Sequence, residues 1–270
     1  MCNKIFSGGL RKKNFFKTNT PSEPLISIIT VVLDNEKYLQ ECLDSLHIQK
    51  YKNYEHIIID GGSLDKTIDI IKKNENKIDY WISEKDKGIY DAFNKGMAEA
   101  KGEYIGFLNS DDVFYNKDTL NHVIDSFKSN KNLDFIYGPV KKHWALLHGY
   151  KPWKIYFTWG FYTSHSTGFF IKRSSAKIVG NYNLKYKYSS DYDYFFRMIV
   201  KKKLKGMGVS KDKIFGIFRR GGFSSSVKFL DHFKEEIKIR YDNGQSKIII
   251  SFIIIYKSIR HLKKIIKELI

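Results

Sequence analysis

Residues 57–67 of the chain read Ile57-Ile58-Ile59-Asp60-Gly61-Gly62-Ser63-Leu64-Asp65-Lys66-Thr67. The run of β-branched residues predicts a buried strand, and the two glycines after it permit a tight turn. Ser63 or Asp65 can then cap a helix that follows the turn. A strand, a turn and a helix in this order are typical of a βαβ unit, so the stretch predicts an α/β fold with Asp60 at the tip of a strand.

Alternating strands and helices continue on both sides of this stretch, from Leu25 onward. Apolar runs predict strands at Ile26–Leu33, His56–Asp60, Tyr80–Ser83, Tyr104–Asn109 and Phe135–Tyr137. Apolar residues at helical spacing predict helices between the strands, at Leu39, Cys42, Leu43 and Leu46 and again at Ile89, Phe93 and Met97. The pattern is typical of a mostly parallel, Rossmann-like sheet that is flanked by helices.

The composition and charge of the chain indicate a folded protein of a reducing compartment with an anionic partner. A chain of 270 residues that is 42% hydrophobic can bury a sizeable core, which argues against overall disorder. Its 47 Lys and Arg residues exceed its 29 Asp and Glu residues, and the net charge of +18 favours an anionic partner such as a nucleic acid, an acidic membrane or a phosphorylated substrate. The two cysteines, Cys2 and Cys42, are too few for a disulfide framework and indicate a reducing compartment.

The first 24 residues are expected to form a basic N-terminal arm with little order. Residues 1–20 contain no acid, and their basic residues are Lys4, Arg11, Lys12, Lys13 and Lys17. The arm lacks the apolar run of a secretory signal, so the chain is expected in the cytoplasm.

Polar residues follow three of the predicted strands, at Asp34-Asn35, at Asp60-Gly61-Gly62-Ser63 and at Asn109-Ser110-Asp111-Asp112. The carboxyl ends of parallel strands share one edge of a sheet, and ligands bind outside that edge. Asp60 could accept a hydrogen bond from a nucleotide base such as uracil N3–H, although a well-capped turn explains its segment equally. The oxygen ligands of the third segment suit Mg²⁺ or Mn²⁺ shared with substrate phosphate, although Asp and Asn are also common turn formers.

Two further segments contain candidate site residues. Ser189–Arg197 predicts a short amphipathic helix with Asp191 in its first turn. A carboxylate at that position would either cap the helix or serve as a catalytic base. His165 precedes an apolar strand at Phe169–Ile171 and is a candidate for an acceptor pocket or a metal site, although a lone histidine is more often structural or exposed.

Four segments in a fixed order carry a resemblance to a known family. They are Ile26–Val32, Ile57–Thr67, Asp86-Lys87-Gly88-Ile89-Tyr90-Asp91-Ala92-Phe93-Asn94-Lys95-Gly96 and Gly102–Asp112. Together they resemble the family 2 inverting glycosyltransferases, and most closely the branch that builds colanic acid and other surface polysaccharides. The resemblance extends from Leu25 to Ser226.

The resemblance implies an A-type nucleotide-sugar transferase domain over residues 25–230, with a nucleotide-binding part at about 25–115 and an acceptor-binding part at about 116–230. The residues that it implies for the nucleotide-sugar donor are Thr30, Val32, Asp60, Asp86, Lys87, Asn109 and Ser110. It makes Asp111 the ligand of Mn²⁺ or Mg²⁺ and Asp191 the catalytic base. Gly221 and Gly222 fall in a glycine-rich loop that the family branch carries over the active site.

The chain departs from the family pattern at two positions. Asn109 stands where the family's Asp-x-Asp motif has its first aspartate, so metal binding would rest on Asp111. Ser190 precedes the expected base where the family often has glutamate, which leaves both Asp191 and Asp193 open as the base. Asp193 is otherwise a candidate for the acceptor site or the lid over it.

The implied reaction moves a sugar from a nucleotide diphosphate sugar to a glycan or lipid-linked acceptor with inversion, in surface polysaccharide or lipopolysaccharide synthesis. A uridine diphosphate sugar is the simplest donor, with guanosine and deoxythymidine diphosphate sugars as alternatives. An oxidoreductase would carry a Gly-x-Gly-x-x-Gly motif after the first strand, where this chain has Leu33-Asp34-Asn35-Glu36. A nucleic-acid-binding protein would explain the charge but not the motifs, and a sugar-nucleotide-binding pseudoenzyme stays open.

Residues 231–270 are predicted to form a helical, basic amphipathic tail. Apolar residues recur at steps of four and three, as on one stripe of a single helix, at Ile248, Phe252, Ile255, Ile259, Leu262, Ile266 and Leu269. Lys257, Arg260, Lys263, Lys264 and Lys267 fall off that stripe. The apolar run Ile248–Tyr256 is too short to cross a bilayer. The tail is therefore expected to lie in an anionic membrane surface at the inner face of the cytoplasmic membrane, to pack on its own domain, or to form a coiled-coil homodimer.

Overall fold

The computed structural model of the chain describes residues 5–142, 145–157, 166–219 and 227–269. Its strands are β1 (Phe6–Gly8), β2 (Ile26–Val32), β3 (Tyr54–Asp60), β4 (Tyr80–Ser83), β5 (Tyr104–Phe107), β6 (Val113–Phe114), β7 (Phe135–Tyr137), β8 (Val140–Lys142), β9 (Ala145–Leu147), β10 (Phe169–Lys172), β11 (Gly206–Gly208) and β12 (Gly216–Phe218). Its α-helices are α1 (Leu39–His47), α2 (Thr67–Lys73), α3 (Ile89–Glu99), α4 (Thr119–Ser129), α5 (Arg173–Val179), α6 (Ser190–Phe196), α7 (Phe229–Asp242), α8 (Lys247–Arg260) and α9 (Leu262–Leu269).

The strands form two sheets within the described residues. The larger sheet has the order β1-β4-β3-β2-β5-β10-β7-β11, and the smaller has the order β6-β12-β8-β9. Strands β4, β3, β2 and β5 are parallel, whereas β1 and β10 run antiparallel to their neighbours. The predicted α/β fold is confirmed, with the parallel strands in the part of the sheet that carries the polar strand ends.

Side chains on the two faces of β2 pack against different helices. Ile29 lies in a buried cluster with Phe93 of α3. Ile28 belongs to a second cluster, together with Cys42 of α1. Gly96 lets α3 approach the sheet closely, because a Cβ at this position would lie 2.4 Å from Ile29 Cγ2. Helices therefore cover both faces of the sheet and leave its edge, where the strands end, for the polar segments.

The N-terminal arm is ordered from residue 5, which corrects the expectation of a poorly ordered segment. Strand β1 extends the sheet by pairing with β4, with Phe6 opposite Ser83. Arg11 follows β1 and forms an ion pair with Glu55 on β3 at 2.6 Å, and the two side chains are only 8% and 3% exposed. Lys17 pairs in the same way with the buried Asp79 at 3.0 Å. Two basic residues of the arm, Arg11 and Lys17, are therefore counterions of buried acids, Glu55 on β3 and Asp79 just before β4.

The C-terminal tail is helical, but it is not the single helix that the apolar stripe predicted. Helix α8 ends at Arg260, and α9 starts at Leu262 and packs against α7. The break at His261 allows Glu268 to accept hydrogen bonds from the first backbone N–H groups of α7, which otherwise have no partner within their helix. Among the helices that the structure describes, none is both long and apolar enough to span a bilayer.

We predict that Arg11→Ala lowers the free energy of unfolding by about 3 kcal/mol, because it leaves the buried Glu55 carboxylate without its charge partner. Urea unfolding followed by circular dichroism measures the change. Lys12→Ala is the matched control, since Lys12 is exposed. Equal unfolding midpoints for the two variants would show that the arm is not needed for stability.

Candidate active site

Asp60 ends β3 and is fully buried. Its Oδ2 accepts hydrogen bonds from the backbone N–H groups of Gly62 and Ser63, both at 3.0 Å, and from the hydroxyl of Ser83 at 2.6 Å. The hydroxyl of Ser63 donates to Oδ1. Of the two roles that the sequence left open, the structure shows the anchoring of the turn, since four donors of the chain itself occupy the carboxylate.

The loop after β2 connects the ends of β3 and β5. The backbone N–H of Asp34 donates to the hydroxyl of Ser63 at 2.8 Å, and Asp34 Oδ1 accepts from the N–H of Leu64 at 2.7 Å. Asn35 reaches in the other direction and donates from Nδ2 to Ser110 Oγ at 2.8 Å. The three polar segments therefore lie at one edge of the sheet, as the parallel strand order predicted.

The segment after β5 is a turn whose side chains all carry oxygen atoms, at Asn109, Ser110, Asp111 and Asp112. Asn109 donates from Nδ2 to Ser166 Oγ at 2.9 Å, while its Oδ1 is buried and has no hydrogen-bond partner within the described residues. Asp112 is fully buried; it accepts from Thr167 Oγ1 at 2.5 Å and from the backbone N–H of Arg219 at 3.4 Å. The turn is thus fixed by Asp112, and it presents an amide oxygen that lacks a donor.

Asp111 is half-buried in the same turn, next to Asp112. Burial raises the pKa of the Cys42 thiol well above its usual value, and the charges of Asp112 and Asp111 raise it further. The thiol is therefore protonated, and it donates to the carbonyl of Asn109 at 3.4 Å. A concentration of negative charge and an amide oxygen without a donor fit a cation or a hydroxyl-bearing ligand at this turn.

The residues suit a metal ion that is shared with a substrate. Among the described residues, no three His, Cys, Asp or Glu side chains converge in a cluster that could hold a metal ion. Mg²⁺ and Mn²⁺ need only one or two carboxylates when phosphate oxygens and water complete the coordination. Asp111 supplies one such carboxylate, and Asn109 Oδ1 is a further oxygen atom of the same turn.

Asp86 lies beside the turn that Asp60 anchors. A Cβ at Gly61 would be 2.6 Å from Asp86 Oδ2, so any other residue here would displace the Asp86 carboxylate. Asp86 Oδ1 accepts from the backbone N–H of Gly88 at 2.8 Å, immediately before α3 begins, while Lys87 between them is exposed. The loop 86–88 therefore sets the start of α3 relative to the end of β3.

Asp191 is connected to this loop through α3. The hydroxyl of Tyr90, in the first turn of α3, lies 3.1 Å from both Asp191 Oδ1 and the carbonyl oxygen of Tyr188 and can donate to either. The backbone N–H of Tyr192 donates to the same Asp191 oxygen at 2.8 Å. Asp191 is half-buried in the first turn of α6. Its carboxylate is held in a defined orientation at the edge of the core, which is the arrangement that a general base requires.

Asp193 has a different environment, which corrects the expectation that it serves the acceptor site or acts as an alternative base. Its side chain is 2% exposed and forms an ion pair with Arg197 at 2.8 Å. Its other oxygen accepts from Asn243 Nδ2 at 2.8 Å. Both oxygens are occupied inside the protein, so Asp193 fixes α6 to the end of α7.

Two residues that the resemblance assigned to the donor lie inside the core. Thr30 is fully buried, and its hydroxyl is 3.0 Å from His56 Nε2. Burial lowers the pKa of His56 well below its usual value, so the pair is neutral. Val32 packs among apolar residues that include Leu39. The side chains of Thr30 and Val32 therefore belong to the packing under the site, which corrects the expectation that they contact the donor.

Sequence reasoning missed the contribution of α7. Glu235 accepts hydrogen bonds from three consecutive backbone N–H groups, those of Lys187, Tyr188 and Ser189, each at 2.6 Å. Arg240 is fully buried and lies over the ring of Tyr192 at 4.9 Å. These contacts fix the chain on both sides of Asp191. More than 40 residues separate the partners, so no local pattern could have revealed them.

Three expected site residues, His165, Gly221 and Gly222, lie outside the described residues. Their neighbours in the chain contact the turn after β5, since Ser166 bonds to Asn109 and Arg219 bonds to Asp112.

Comparison with known proteins identifies the family of the chain. The family model described as "Glycosyl transferase family 2" matches residues 27–206. A PGL/p-HBAD biosynthesis glycosyltransferase of Mycobacterium tuberculosis is 30% identical over 187 residues, which are 64% of this chain and 69% of that protein.

Two solved structures show the same fold. TarS of S. aureus, in complex with UDP-GlcNAc, has a TM-score of 0.63 at 19% identity and covers 88% of this chain and 72% of its own. The mannosyltransferase PcManGT of Pyrobaculum calidifontis, in complex with GDP-Man and Mn²⁺, has a TM-score of 0.64 at 14% identity and covers 94% of this chain and 76% of its own. These matches confirm the expected fold without singling out the colanic acid branch. With a family model over more than half of its length, the chain belongs to glycosyl transferase family 2.

Proposed function

We propose that the chain transfers a sugar from a nucleotide diphosphate sugar to a hydroxyl group of a glycan or lipid-linked acceptor, with inversion at the anomeric carbon. The observation that carries the proposal is the turn after β5. It has a buried amide oxygen at Asn109 that finds no hydrogen-bond partner in the described part of the chain, the acidic Asp111 beside it, and a hydrogen-bonded connection to the loop after β2. The structure also brings Asp86 to the end of β3 and Asp191 to α3.

The donor is proposed to be a uridine diphosphate sugar, with guanosine and deoxythymidine diphosphate sugars as alternatives. TarS was solved with UDP-GlcNAc and PcManGT with GDP-Man, so the fold accepts both bases. The M. tuberculosis relative, named for PGL/p-HBAD biosynthesis, supports a role in building a cell-surface glycan or glycolipid.

The cation is proposed to be Mn²⁺ or Mg²⁺, held by Asp111 together with Asn109 Oδ1 or with phosphate oxygens. When bound, it supplies positive charge that neutralises the diphosphate leaving group. The observation that PcManGT was solved with Mn²⁺ supports this choice.

Asp191 is proposed to accept the proton of the acceptor hydroxyl. The oxygen of that hydroxyl forms a bond to the anomeric carbon while the bond from that carbon to the phosphate oxygen breaks, and its electron pair leaves with the nucleoside diphosphate. Attack opposite the leaving group inverts the configuration and requires no covalent enzyme intermediate. Tyr90 and the N–H of Tyr192 bond to one carboxylate oxygen and so orient the base.

The proposal is tested by incubating the full chain with uridine, guanosine and deoxythymidine diphosphate sugars in Mn²⁺ and measuring nucleoside diphosphate release, with and without crude lipid-linked glycan. We expect release with one nucleotide and a faster rate when acceptor is present. Tight donor binding without release under any condition would identify a pseudoenzyme. Retention on DNA without binding of any sugar nucleotide would replace the proposal with nucleic-acid binding.

For Asp111→Ala, we predict that donor affinity no longer depends on Mn²⁺. Wild-type protein should bind the donor at least about tenfold more tightly in Mn²⁺ than in EDTA, because the cation offsets the charge of both the carboxylate and the diphosphate. Calorimetric titration in the two buffers measures the difference. Asp125→Ala, at an exposed position of α4, is the control and should behave as wild type. Equal wild-type affinity in the two buffers would contradict the metal assignment.

Asp191→Asn and Asp193→Asn are predicted to separate catalysis from stability. The first should lower turnover by roughly 10²-fold or more at unchanged donor affinity, the scale of losing a general base. The second should lower the melting temperature, because it leaves Arg197 without its buried partner, and should change turnover less. Steady-state kinetics and thermal unfolding on the same preparations measure both effects. The opposite ranking of turnover would reassign the base to Asp193.

Glu235→Ala is predicted to lower kcat without weakening donor binding. The substitution removes the acceptor of three N–H groups that precede Asp191, so the base is less well oriented. Hydrogen exchange should rise at residues 187–189, and Lys238→Ala, at an exposed position of the same helix, serves as the control. Unchanged exchange at 187–189 would show that Glu235 does not order this segment.

A further inference from the structure

The apolar stripe of the C-terminal tail faces solvent. The exposed residues are Ile248, Phe252, Ile255, Ile259, Leu262 and Ile266, here called the tail stripe. Ile248, Ile255 and Ile259 are 82%, 60% and 72% exposed, whereas Ile250 and Ile253 are the buried residues of α8. The tail therefore packs on its own domain through Ile250 and Ile253, and the tail stripe stays exposed.

The two tail helices are held firmly while their stripe is exposed. Lys257 of α8 forms an ion pair with Glu236 of α7. Glu268 of α9 accepts from the N–H groups of Phe229 and Leu230 at 2.8 and 2.9 Å. The ring of His261, between the two helices, lies 4.6 Å from that of Phe229. The exposed apolar residues thus lie on two helices that these contacts hold against α7.

The charge of the tail distinguishes between the two remaining partners for the tail stripe, a second copy of the chain and an anionic membrane. Between residues 247 and 269 the acid is Glu268, which already caps α7, and Lys257 is paired with Glu236. The other basic residues of the tail are Lys247, Arg260, Lys263, Lys264 and Lys267. A second copy of the chain would bring like charges together across the stripe. An anionic lipid surface accepts apolar side chains at the acyl boundary and attracts the surrounding lysines and arginines.

We propose that the tail stripe and its basic residues dock α8 and α9 on an anionic membrane surface. The inference goes beyond the proposed sugar transfer and holds whichever sugar is moved. Neighbouring residues of α7 connect the tail with the segment that precedes Asp191. Glu236 binds the tail through Lys257, and Glu235 accepts hydrogen bonds from that segment. A protein docked in this way keeps its catalytic base in a fixed relation to the lipid surface.

The test is co-sedimentation of the full chain with phosphatidylcholine vesicles that either contain or lack phosphatidylglycerol. Wild-type protein should bind the anionic vesicles, and added salt should weaken the binding. The double variant Phe252→Asp with Ile255→Asp should bind at least about tenfold less, because it places charge where the apolar contact forms. Ile178→Asp with Leu184→Asp changes two exposed apolar residues outside the tail and should bind as wild type.

Three results would overturn the proposal. One is equal binding of wild-type protein to neutral and anionic vesicles, and another is unchanged vesicle binding by the tail variant. The third is a change of oligomeric state, in which wild-type protein has the mass of a dimer and the tail variant has the mass of a monomer but still binds vesicles. That result would assign the tail stripe to contact with a second copy of the chain. Circular dichroism and thermal unfolding of both double variants exclude loss of folding as the cause.

Discussion

The buried carboxylate of Asp60 is the interaction on which the candidate site depends. It draws the N–H groups of the following turn onto the end of β3, and Ser63 from that turn then bonds to the loop after β2. The compact turn also admits Asp86, since Gly61 leaves no side chain in its way. From Asp86 the chain enters α3, and Tyr90 in its first turn reaches Asp191. A single anchored turn thus positions groups that are 130 residues apart in the sequence.

Helix α7 extends this arrangement beyond the segment that matches the family model, which ends at residue 206. Glu235 and Arg240 hold the segments on either side of Asp191, and Glu236 and the N-terminus of α7 hold the two tail helices. The family-matched region therefore does not orient the proposed base alone. The basic, apolar surface of the tail and the catalytic edge of the sheet are attached to the same helix.

The sequence predicted those parts of the structure that have a local periodic cause. Strands β4 and β7 were predicted at their observed bounds, and the shared edge of β2, β3 and β5 followed from parallel strand order. Long-range ion pairs escaped prediction: Arg11 meets Glu55 across 44 residues, so the N-terminal arm was expected to be poorly ordered. The apolar spacing of the tail predicted helix correctly but not the break at His261, which brings Glu268 to the N-terminus of α7, 38 residues away in the sequence.

The candidate site was predictable as a set of strand-end residues but not in the role of each side chain. Asp191 and Asp193 look equivalent in the sequence, and only the contacts of Arg197 and Asn243 show that Asp193 is internal. Thr30 was assigned to the donor by resemblance, yet strand alternation turns its hydroxyl toward His56 in the core. Burial and partner choice, which depend on tertiary packing, decide these roles.

The most direct test of the central claim is a crystal structure of the full chain with uridine diphosphate and Mn²⁺, with anomalous diffraction used to locate the metal. The account predicts an anomalous peak against the Asp111 carboxylate, with the diphosphate beside it and the nucleotide along the edge formed by the ends of β2, β3 and β5. A nucleotide bound at any other surface, or a Mn²⁺ peak away from the turn after β5, would contradict it.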